Sequence, residues 1–231
     1  MPRLPALLLL FLVSAAGLFA TAQQSDNLFL DGKEQRIHSN PLGKYFAQHP
    51  ERLPRSSVTS SALWRGYVAT FEIHEGQLRV RDVKILKWDG KQDTELVSVL
   101  EQAFPKDTSR ELSWFTGFLI LPQGELVNYV HMGYASTFER YRLLFIKDGR
   151  VTANRVFTHE EYKEYKVRQF EAYTHSERYK KLHESASKTS RGPSVDSFLY
   201  IFDTDFPTEM LVDYKDFKPN SAAAPATTKT K

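Results

Sequence analysis

The sequence predicts an α+β fold: an antiparallel β-meander of three or more hairpins, forming a curved sheet or a partly open barrel, with one short and one long helix. Alternating apolar and polar residues flank the pairs Asp31-Gly32, Glu75-Gly76 and Asp148-Gly149, which are turns that close β-hairpins. Thr158 and Glu161 then match a capping box, and the densely charged stretch after them predicts the long helix.

The first part of the chain is predicted to contain a hairpin over 27–38, a short helix over 42–47 and a loop over 50–61. A second hairpin turns at Glu75-Gly76, and counting outward from this turn places Glu72 opposite Arg79 and Phe71 opposite Val80. The apolar phase slips beyond Asp82, which predicts a β-bulge or a change of sheet face there.

The later elements follow from the same signals. They are a helix over 94–104, a strand over 114–121 that turns at 122–124 into a return strand over 125–132, a hairpin of 138–146 with 151–157, a helix from 158 to about 185, and a strand over 195–202. The strand over 114–121 is apolar on both faces, which predicts that it is covered on both sides.

The N-terminus predicts export. Residues 1–22 form a signal peptide, with one basic residue, an apolar run and small residues before a cleavage site after Ala22; an uncleaved signal anchor is the alternative. The rest is predicted as a single β-rich domain over 23–215, with the long helix at about 159–185, and a disordered tail over 216–231. The chain has no cysteine, so it cannot be a small scaffold held by disulfides. For an exported protein this favours a bacterial periplasmic or secreted location.

Composition and motifs exclude several classes of function. Lys and Arg number 31 against 28 Asp and Glu, a net charge of +3 without a basic face, so nucleic acid is not an expected partner. No histidine spacing suits a metal, and no Gly-rich phosphate loop is present, so neither a metal nor a cofactor is predicted. No transmembrane segment is expected in the mature chain. The sequence predicts an unknown protein or a glycan as the partner without identifying it. It does not indicate the oligomeric state.

Three residues are weak catalytic candidates. Glu72 and Asp82 lie on one predicted hairpin and are the carboxylates that acid–base work would need, although the register makes Glu72 and Arg79 an exposed salt bridge instead. His131 lies at a predicted strand end between Tyr129 and Tyr134. An exposed or hydrogen-bonded histidine without a catalytic role is the alternative.

The better candidates are for binding. Trp64, Arg65 and Tyr67 open a predicted strand and place a guanidinium beside aromatic faces, a grouping that anchors a protein partner or stacks on a sugar ring. Trp114, which opens the later aromatic strand, is the fourth candidate. The alternative is structural: Arg65 pairs with a carboxylate such as Glu139 or Asp82, and the two aromatic side chains pack on opposite faces of the sheet.

The strand Trp-Arg-Gly-Tyr-Val-Ala-Thr-Phe-Glu-Ile at 64–73 precedes Trp-Phe-Thr-Gly at 114–117, and Leu-Phe-Leu-Asp-Gly at 28–32 and Asn-Pro-Leu at 40–42 come before both. In this order the segments resemble a group of small uncharacterised bacterial proteins, over roughly residues 27–160. The resemblance implies a bacterial source and a shared β-rich fold. It implies no activity, because the group has none assigned.

Three functional hypotheses follow. The first is an exported, non-catalytic binding or inhibitory module that uses the end of the sheet near Trp64, Arg65 and Tyr67. The second is a hydrolase of an envelope or extracellular glycan that uses Glu72 or Asp82. The third is a scaffold in which the charged helix over 160–184 docks another copy or another protein.

Overall fold

The structure is a computed structural model that describes residues 22–53, 55–91, 93–189, 194–202, 208–209, 211–213, 215 and 217–218. Eight strands are Asp26–Leu30 (β1), Lys33–Ile37 (β2), Val68–His74 (β3), Gln77–Trp88 (β4), Thr94–Ser98 (β5), Gly117–Asn128 (β6), Thr137–Lys147 (β7) and Arg150–Thr158 (β8). The α-helices in this part of the chain are Gly43–Gln48 (α1), Leu100–Ala103 (α2), His159–Thr174 (α3), Glu177–Thr189 (α4) and Val195–Phe202 (α5). All but the last residue of the predicted signal peptide, and all but 217–218 of the predicted tail, lie outside the described residues.

All eight strands belong to one open sheet in the order β2-β1-β3-β4-β8-β7-β6, with β5 added to β4. Pairing is antiparallel throughout except between β1 and β3, which run parallel. β4 and β8 meet through a single residue pair, Gln77 and Arg150. The predicted fold class, an α+β protein with a largely antiparallel sheet, is confirmed. No helix in the described ranges is long and apolar enough to cross a bilayer.

The hairpin turns are where the sequence predicts them. Asp31-Gly32, Glu75-Gly76 and Asp148-Gly149 all have positive φ at both positions, the conformation of tight hairpin turns. The register of β3 and β4 is confirmed from His74 and Gln77 to Phe71 and Val80. The bulge comes one residue earlier than predicted: Thr70 pairs with Asp82, so Arg81 is the extra residue.

The predicted turn at 122–124 is wrong, because β6 continues through it to Asn128. Pro122 still pairs with Tyr141 on β7, and the register shifts between Gln123 and Leu126. Gly124 has a φ of 76°, and a β-carbon there would come within 3.0 Å of the Glu139 β-carbon. The glycine therefore serves a bulge in a long strand rather than a chain reversal.

Two apolar segments adopt a secondary structure different from the one predicted. Residues 94–98 of the predicted helix over 94–104 form β5 on the open edge of β4, and only Leu100–Ala103 is helical before Pro105. Residues 195–202, predicted as a strand, form α5. At the start of this helix the Ser194 hydroxyl accepts the Ser197 amide at 3.2 Å. In both cases the neighbouring structure decides the conformation of a short apolar run.

The long helix is also divided in two. Its predicted capping box is confirmed: Thr158 accepts the amide of Glu161, whose carboxylate accepts the amide of Thr158. α3 ends at Thr174, and the hydroxyl of Ser176 accepts the Tyr179 amide at 3.1 Å, which begins α4. A local capping interaction thus interrupts a helix that charge pattern alone predicts to run to about residue 185.

β6 contributes to two apolar cores, as its two apolar faces predict. Leu119 and Leu121 pack into the core that holds Leu28, Phe71 and Ile85 of the other half of the sheet. Alternate residues of β6 face a second core under α3, whose buried members are Phe118, Ile120, Tyr141, Leu143, Phe145, Phe157, Tyr165 and Phe217. One face of β6 therefore packs against the core under α3, and its opposite face packs against the core of the other half of the sheet.

The residues after β2 cover the outer edge of β6. The amide of His38 donates to the carbonyl of Ile120 at 2.8 Å. The Ser39 hydroxyl donates to the carbonyl of Phe118 at 3.1 Å and accepts the amide of Ile120 at 2.9 Å. These bonds bring the chain that leaves β2 alongside β6, and so place His38 beside the helical layer.

Gln169 of α3 fixes a segment near the C-terminus. Its side-chain amide donates to the carbonyl of Glu209 at 2.5 Å, and its side-chain oxygen accepts the amide of Val212 at 2.6 Å. The Tyr165 hydroxyl donates to the carbonyl of Val212 at 2.9 Å. Since Gln169 is completely buried, its hydrogen bonds to this segment satisfy a polar group that would otherwise be costly to bury.

Candidate functional site

Arg65, the central residue of the predicted binding patch, lies inside the protein with 6% of its side chain exposed. Its guanidinium donates to the Asp26 carboxylate at 3.0 Å, to the Tyr134 hydroxyl at 2.6 Å and to the side-chain oxygen of Asn40. The same Asp26 oxygen accepts the amide of Ala69 at 2.8 Å. The partner is thus Asp26, not Glu139 or Asp82. These residues form what we call the Arg65 cluster: Asp26, Asn40, Arg65 and Tyr134.

Burial dominates the electrostatics of the Arg65 cluster. Loss of hydration raises the pKa of Asp26 to about 6, although Arg65 and the Ala69 amide favour its charged form. Burial by itself lowers the pKa of Arg65, but the nearby Asp26 and Tyr134 more than reverse this effect and hold it above its usual range. Burial also raises the pKa of Tyr134 to about 12. Arg65 therefore stays charged within a nearly closed set of partners.

The other two residues of the predicted patch separate. Trp64 is 65% exposed, whereas Tyr67 is buried and packs edge-on against Phe46 with ring centroids 4.9 Å apart. The predicted strand over 64–73 begins only at Val68, because Gly66 has a φ of 84° and turns the chain before it. Of the three residues, Trp64 alone presents a large surface to solvent.

The two carboxylate candidates are held by neighbours. Glu72 forms its ion pair with Arg81 at 3.9 Å instead of the predicted Arg79. Asp82 accepts the Ser98 hydroxyl at 2.6 Å and lies 3.7 Å from the Lys84 ammonium. Neither carboxylate borders the two cavities described below. These contacts give the hydrolase hypothesis no support.

His131 also engages a neighbour, since its Nδ1 lies 2.6 Å from the Tyr129 hydroxyl at an exposed position. It does not border either cavity. Across the described ranges, no group of three or more His, Asp or Glu side chains is arranged to hold a metal ion.

A cavity of about 360 Å³ lies where α3 and α5 meet the end of β6 and the start of β7, and sequence reasoning missed it. We call it the His38–Lys166 cavity. It is lined by His38, Val127, Asn128, Tyr134, Ala135, Ser136, Thr137, Tyr141, His159, Tyr162, Lys163, Lys166 and Tyr200. The four-residue spacing of Tyr162 and Lys166 on α3 is the one local signal for it. Nothing in the sequence indicates that His38 joins them.

The walls of this cavity are aromatic and rigidly paired. His38 stacks on Tyr134 with ring centroids 4.7 Å apart and 9° between the planes. Tyr141 stacks on Tyr162 with centroids 3.9 Å apart and 25° between the planes. The hydroxyl of Tyr134 is held in turn by Arg65. Flat apolar surfaces are therefore in place before any ligand arrives.

Lys166 supplies a partly desolvated charge to the cavity. Burial lowers its pKa to about 8, and its ammonium lies 4.3 Å from the centre of the Tyr200 ring. Burial first, then Lys166 and Arg36, lower the pKa of His38 to about 3, so the imidazole is neutral at ordinary pH. None of the described residues that border the cavity is Asp or Glu.

Together these features suit a ligand with a flat apolar body and one anionic group. The aromatic pairs contact the body, and the Lys166 ammonium offers a charge-assisted hydrogen bond to a carboxylate or a similar anion. Such a bond is stronger where water is excluded than at an exposed lysine. The hydroxyl of Thr137 and the side-chain amide of Asn128 add polar groups at the border, whereas the Ser136 hydroxyl is already bonded to the backbone of Val130.

Trp114, the fourth binding candidate, lies at a second and smaller concavity of about 200 Å³, which we call the Trp114 groove. The residue is 44% exposed. The groove is lined by Asn40, Pro41, Lys44, Trp114, Phe115, Thr116, Thr208 and Glu209. Neither Trp64 nor Arg65 lines this groove, although Asn40 belongs both to the groove and to the Arg65 cluster.

The residues of the His38–Lys166 cavity come from the chain just after β2, from β6, β7 and the loop between them, and from α3 and α5. The site therefore depends on contacts across the fold rather than on a local motif. Comparisons with protein families, with curated proteins and with solved structures found no match for this chain.

Proposed function

We propose that this chain is an exported bacterial protein that acts by binding, without catalysis, and that its ligand is a small molecule with a flat apolar body and one anionic group. The ligand occupies the His38–Lys166 cavity. The N-terminal signal pattern, the absence of cysteine and the resemblance to small bacterial proteins support the export and the source.

One observation carries the choice of ligand: Lys166 borders a cavity whose walls are stacked aromatic rings. Here burial lowers the pKa of Lys166, which is the cost of holding its charge beside apolar surface. An anion bound next to the ammonium would offset this cost.

The size and composition of the cavity agree with this proposal. A volume of about 360 Å³ is near the lower end of cavities that hold small organic ligands. The stacked pairs His38–Tyr134 and Tyr141–Tyr162 present ring faces and edges, which favour a planar body. An extended polymer would not be enclosed by a cavity of this size.

A matched pair of probes tests the charge. Isothermal titration calorimetry is run with 2-naphthoate and with the neutral 2-naphthamide, which differ at the anionic group alone. We expect the naphthoate to bind about tenfold or more tightly than the amide, because it gains a charge-assisted hydrogen bond. Lys166→Met keeps an apolar stem of similar length but removes the charge, so this variant is expected to bind the two probes equally.

Lys181→Met is the control, since Lys181 is an exposed lysine on α4 that does not border the cavity. It is expected to keep the preference for the naphthoate. The proposal is overturned if neither 2-naphthoate, cinnamate nor benzoate binds to the folded wild-type protein at millimolar concentration. Equal preference in wild type and Lys166→Met would also overturn it.

A further inference from the structure

We propose that the Trp114 groove binds a single sugar ring of a glycan. This inference does not depend on the ligand of the His38–Lys166 cavity, because different residues line the groove. Three features carry it: a braced and exposed indole, polar side chains fixed beside it, and a volume that suits one pyranose ring.

The indole belongs to a stack of three rings. Tyr45 lies nearly parallel to Trp114, with ring centroids 6.0 Å apart and 12° between the planes. Tyr45 also stacks on the buried Phe104, with centroids 4.8 Å apart and 9° between the planes. The Tyr45 hydroxyl donates to the carbonyl of Ala103 at 2.9 Å, which fixes the middle ring. Trp114 is therefore supported from below while 44% of it stays exposed.

A rigid, exposed aromatic side chain binds a ligand with little loss of side-chain entropy. The C–H face of a pyranose ring is apolar, so it packs on an indole in water. The hydroxyl groups around the rim of the same ring need polar partners. A sugar site therefore requires an aromatic platform with charged and amide groups beside it.

The groove supplies these groups. The Glu209 carboxylate is held by Arg178 at 2.9 Å and by Lys44 at 3.9 Å, and Gln169 fixes its backbone. Lys44 is exposed and offers donors, whereas Glu209 offers acceptors, so together they match a pair of neighbouring hydroxyls that each donate and accept. Asn40 and Thr116 complete the polar border.

The groove holds about 200 Å³, which accommodates one sugar ring rather than a longer oligosaccharide. The mixture of acidic, basic and neutral polar groups favours a neutral sugar, because a charged ligand would meet an unfavourable partner on one side. We therefore infer a terminal or single-residue contact with a neutral glycan. Such a single-ring contact by itself is weak.

The test uses saturation-transfer NMR and titration with cellobiose, maltose, lactose and chitobiose against the full chain. We expect at least one of them to bind in the millimolar range. Trp114→Ala is expected to weaken that binding about tenfold or more, as removal of a central aromatic contact does. Trp114→Phe is expected to keep part of it. Circular dichroism establishes that each variant is folded.

Trp88→Ala is the matched control, since Trp88 is a comparably exposed tryptophan at the far end of β4 that does not border the groove. It is expected to bind like the wild type, and so is Lys166→Met, which separates this test from that of the His38–Lys166 cavity. The inference is overturned if none of the four sugars binds to the wild type, or if the sugar that binds does so equally well to folded Trp114→Ala.

Discussion

Tyr134 lies face to face with His38, and its hydroxyl accepts a hydrogen bond from Arg65 at 2.6 Å. One side of this tyrosine therefore forms a wall of the His38–Lys166 cavity, while its polar end belongs to the buried Arg65 cluster. Asn40, a second member of that cluster, also borders the Trp114 groove. The cluster thus braces both concave surfaces from the interior of the protein.

We expect Arg65→Ala to lower the free energy of unfolding by about 3–5 kcal/mol, because it leaves the Asp26 carboxylate buried without its cation. Urea denaturation followed by circular dichroism measures this. Arg110→Ala is the control: Arg110 forms an exposed pair with Glu101, and its loss is expected to cost at most about 1 kcal/mol. Equal losses in the two variants would contradict the structural role of Arg65.

The double variant Arg65→Met with Asp26→Asn is expected to recover part of the stability that Arg65→Ala loses. It removes both buried charges instead of one, and replacing a buried ion pair with neutral groups often costs little. The measurement is again urea denaturation. A double variant less stable than Arg65→Ala would show that the pair contributes mainly through its hydrogen bonds to Asn40 and Tyr134.

Asp26 predicts a pH dependence with a definite sign. Its pKa is raised in the folded state from 3.8 to about 6, so the folded protein binds the proton more tightly than the unfolded chain does. The cost of burying the carboxylate is fully present above pH 6 and is relieved as the pH falls toward 4. Arg65 and Tyr134 are the titratable groups that face it.

The unfolding free energies of wild type and Asp26→Asn are compared at pH 7 and at pH 4.5. We expect the difference to move in favour of the wild type at the lower pH, by an amount on the order of 1–3 kcal/mol. Comparing the difference cancels the titration of the other carboxylates. A difference that is the same at both pH values would mean that the pKa of Asp26 is not raised.

Lys166 predicts how anion binding depends on pH. Its pKa is lowered to about 8, so the ammonium is protonated below pH 8 and loses its charge above it. The affinity for 2-naphthoate is therefore expected to be constant from pH 6 to 7 and to fall from pH 8 to 9.5, while that for 2-naphthamide stays unchanged. The other titratable groups around the cavity are His38, Tyr134, Tyr141, His159, Tyr162, Lys163 and Tyr200.

Calorimetry at these pH values measures the effect, and Lys163→Met shows which lysine is responsible. Lys163 borders the cavity but is exposed, so removing its charge is expected to leave the fall above pH 8 in place. His38 does not contribute in this range, because its pKa is about 3. An affinity that falls between pH 6 and 7 would assign the charge to a histidine instead.

Gln169→Leu is expected to release the backbone of Glu209 and Val212 from α3. The substitution keeps the size of the side chain but removes two hydrogen bonds, at an expected cost of about 1–3 kcal/mol in unfolding free energy. Hydrogen exchange of the Val212 amide should become faster, because that amide donates to Gln169. Gln102→Leu, at an exposed position on α2, is expected to leave both properties unchanged.

Local chemistry explains which elements are predictable from sequence. The register of β3 and β4 follows from Glu75-Gly76, because a two-residue turn with positive φ at both positions fixes the pairs beside it. The capping box of Thr158 and Glu161 is equally local. Residues 94–98 and 195–202 are not predictable in this way, because short apolar runs take the conformation that their neighbours allow.

The sites are less predictable, since they depend on contacts between distant residues. Arg65 and Asp26 are 39 positions apart, and Tyr134 is 69 positions from Arg65, so no spacing indicates their contact. The same holds for His38 and Lys166, which the pairing of the chain after β2 with β6 brings to one cavity. The sequence makes Trp114 a binding candidate, but nothing in it indicates that Glu209 borders the same groove.

The parallel pairing of β1 with β3 has a consequence for the order of folding. Asp26 and the Ala69 amide that it accepts are 43 residues apart, whereas the hairpins β3/β4 and β7/β8 close through two-residue turns. Closing the longer loop costs more entropy, so we expect the two local hairpins to form first and the β1/β2 hairpin to dock last. The Arg65 cluster would then be completed in the final step, so it would stabilise the folded protein without nucleating its folding.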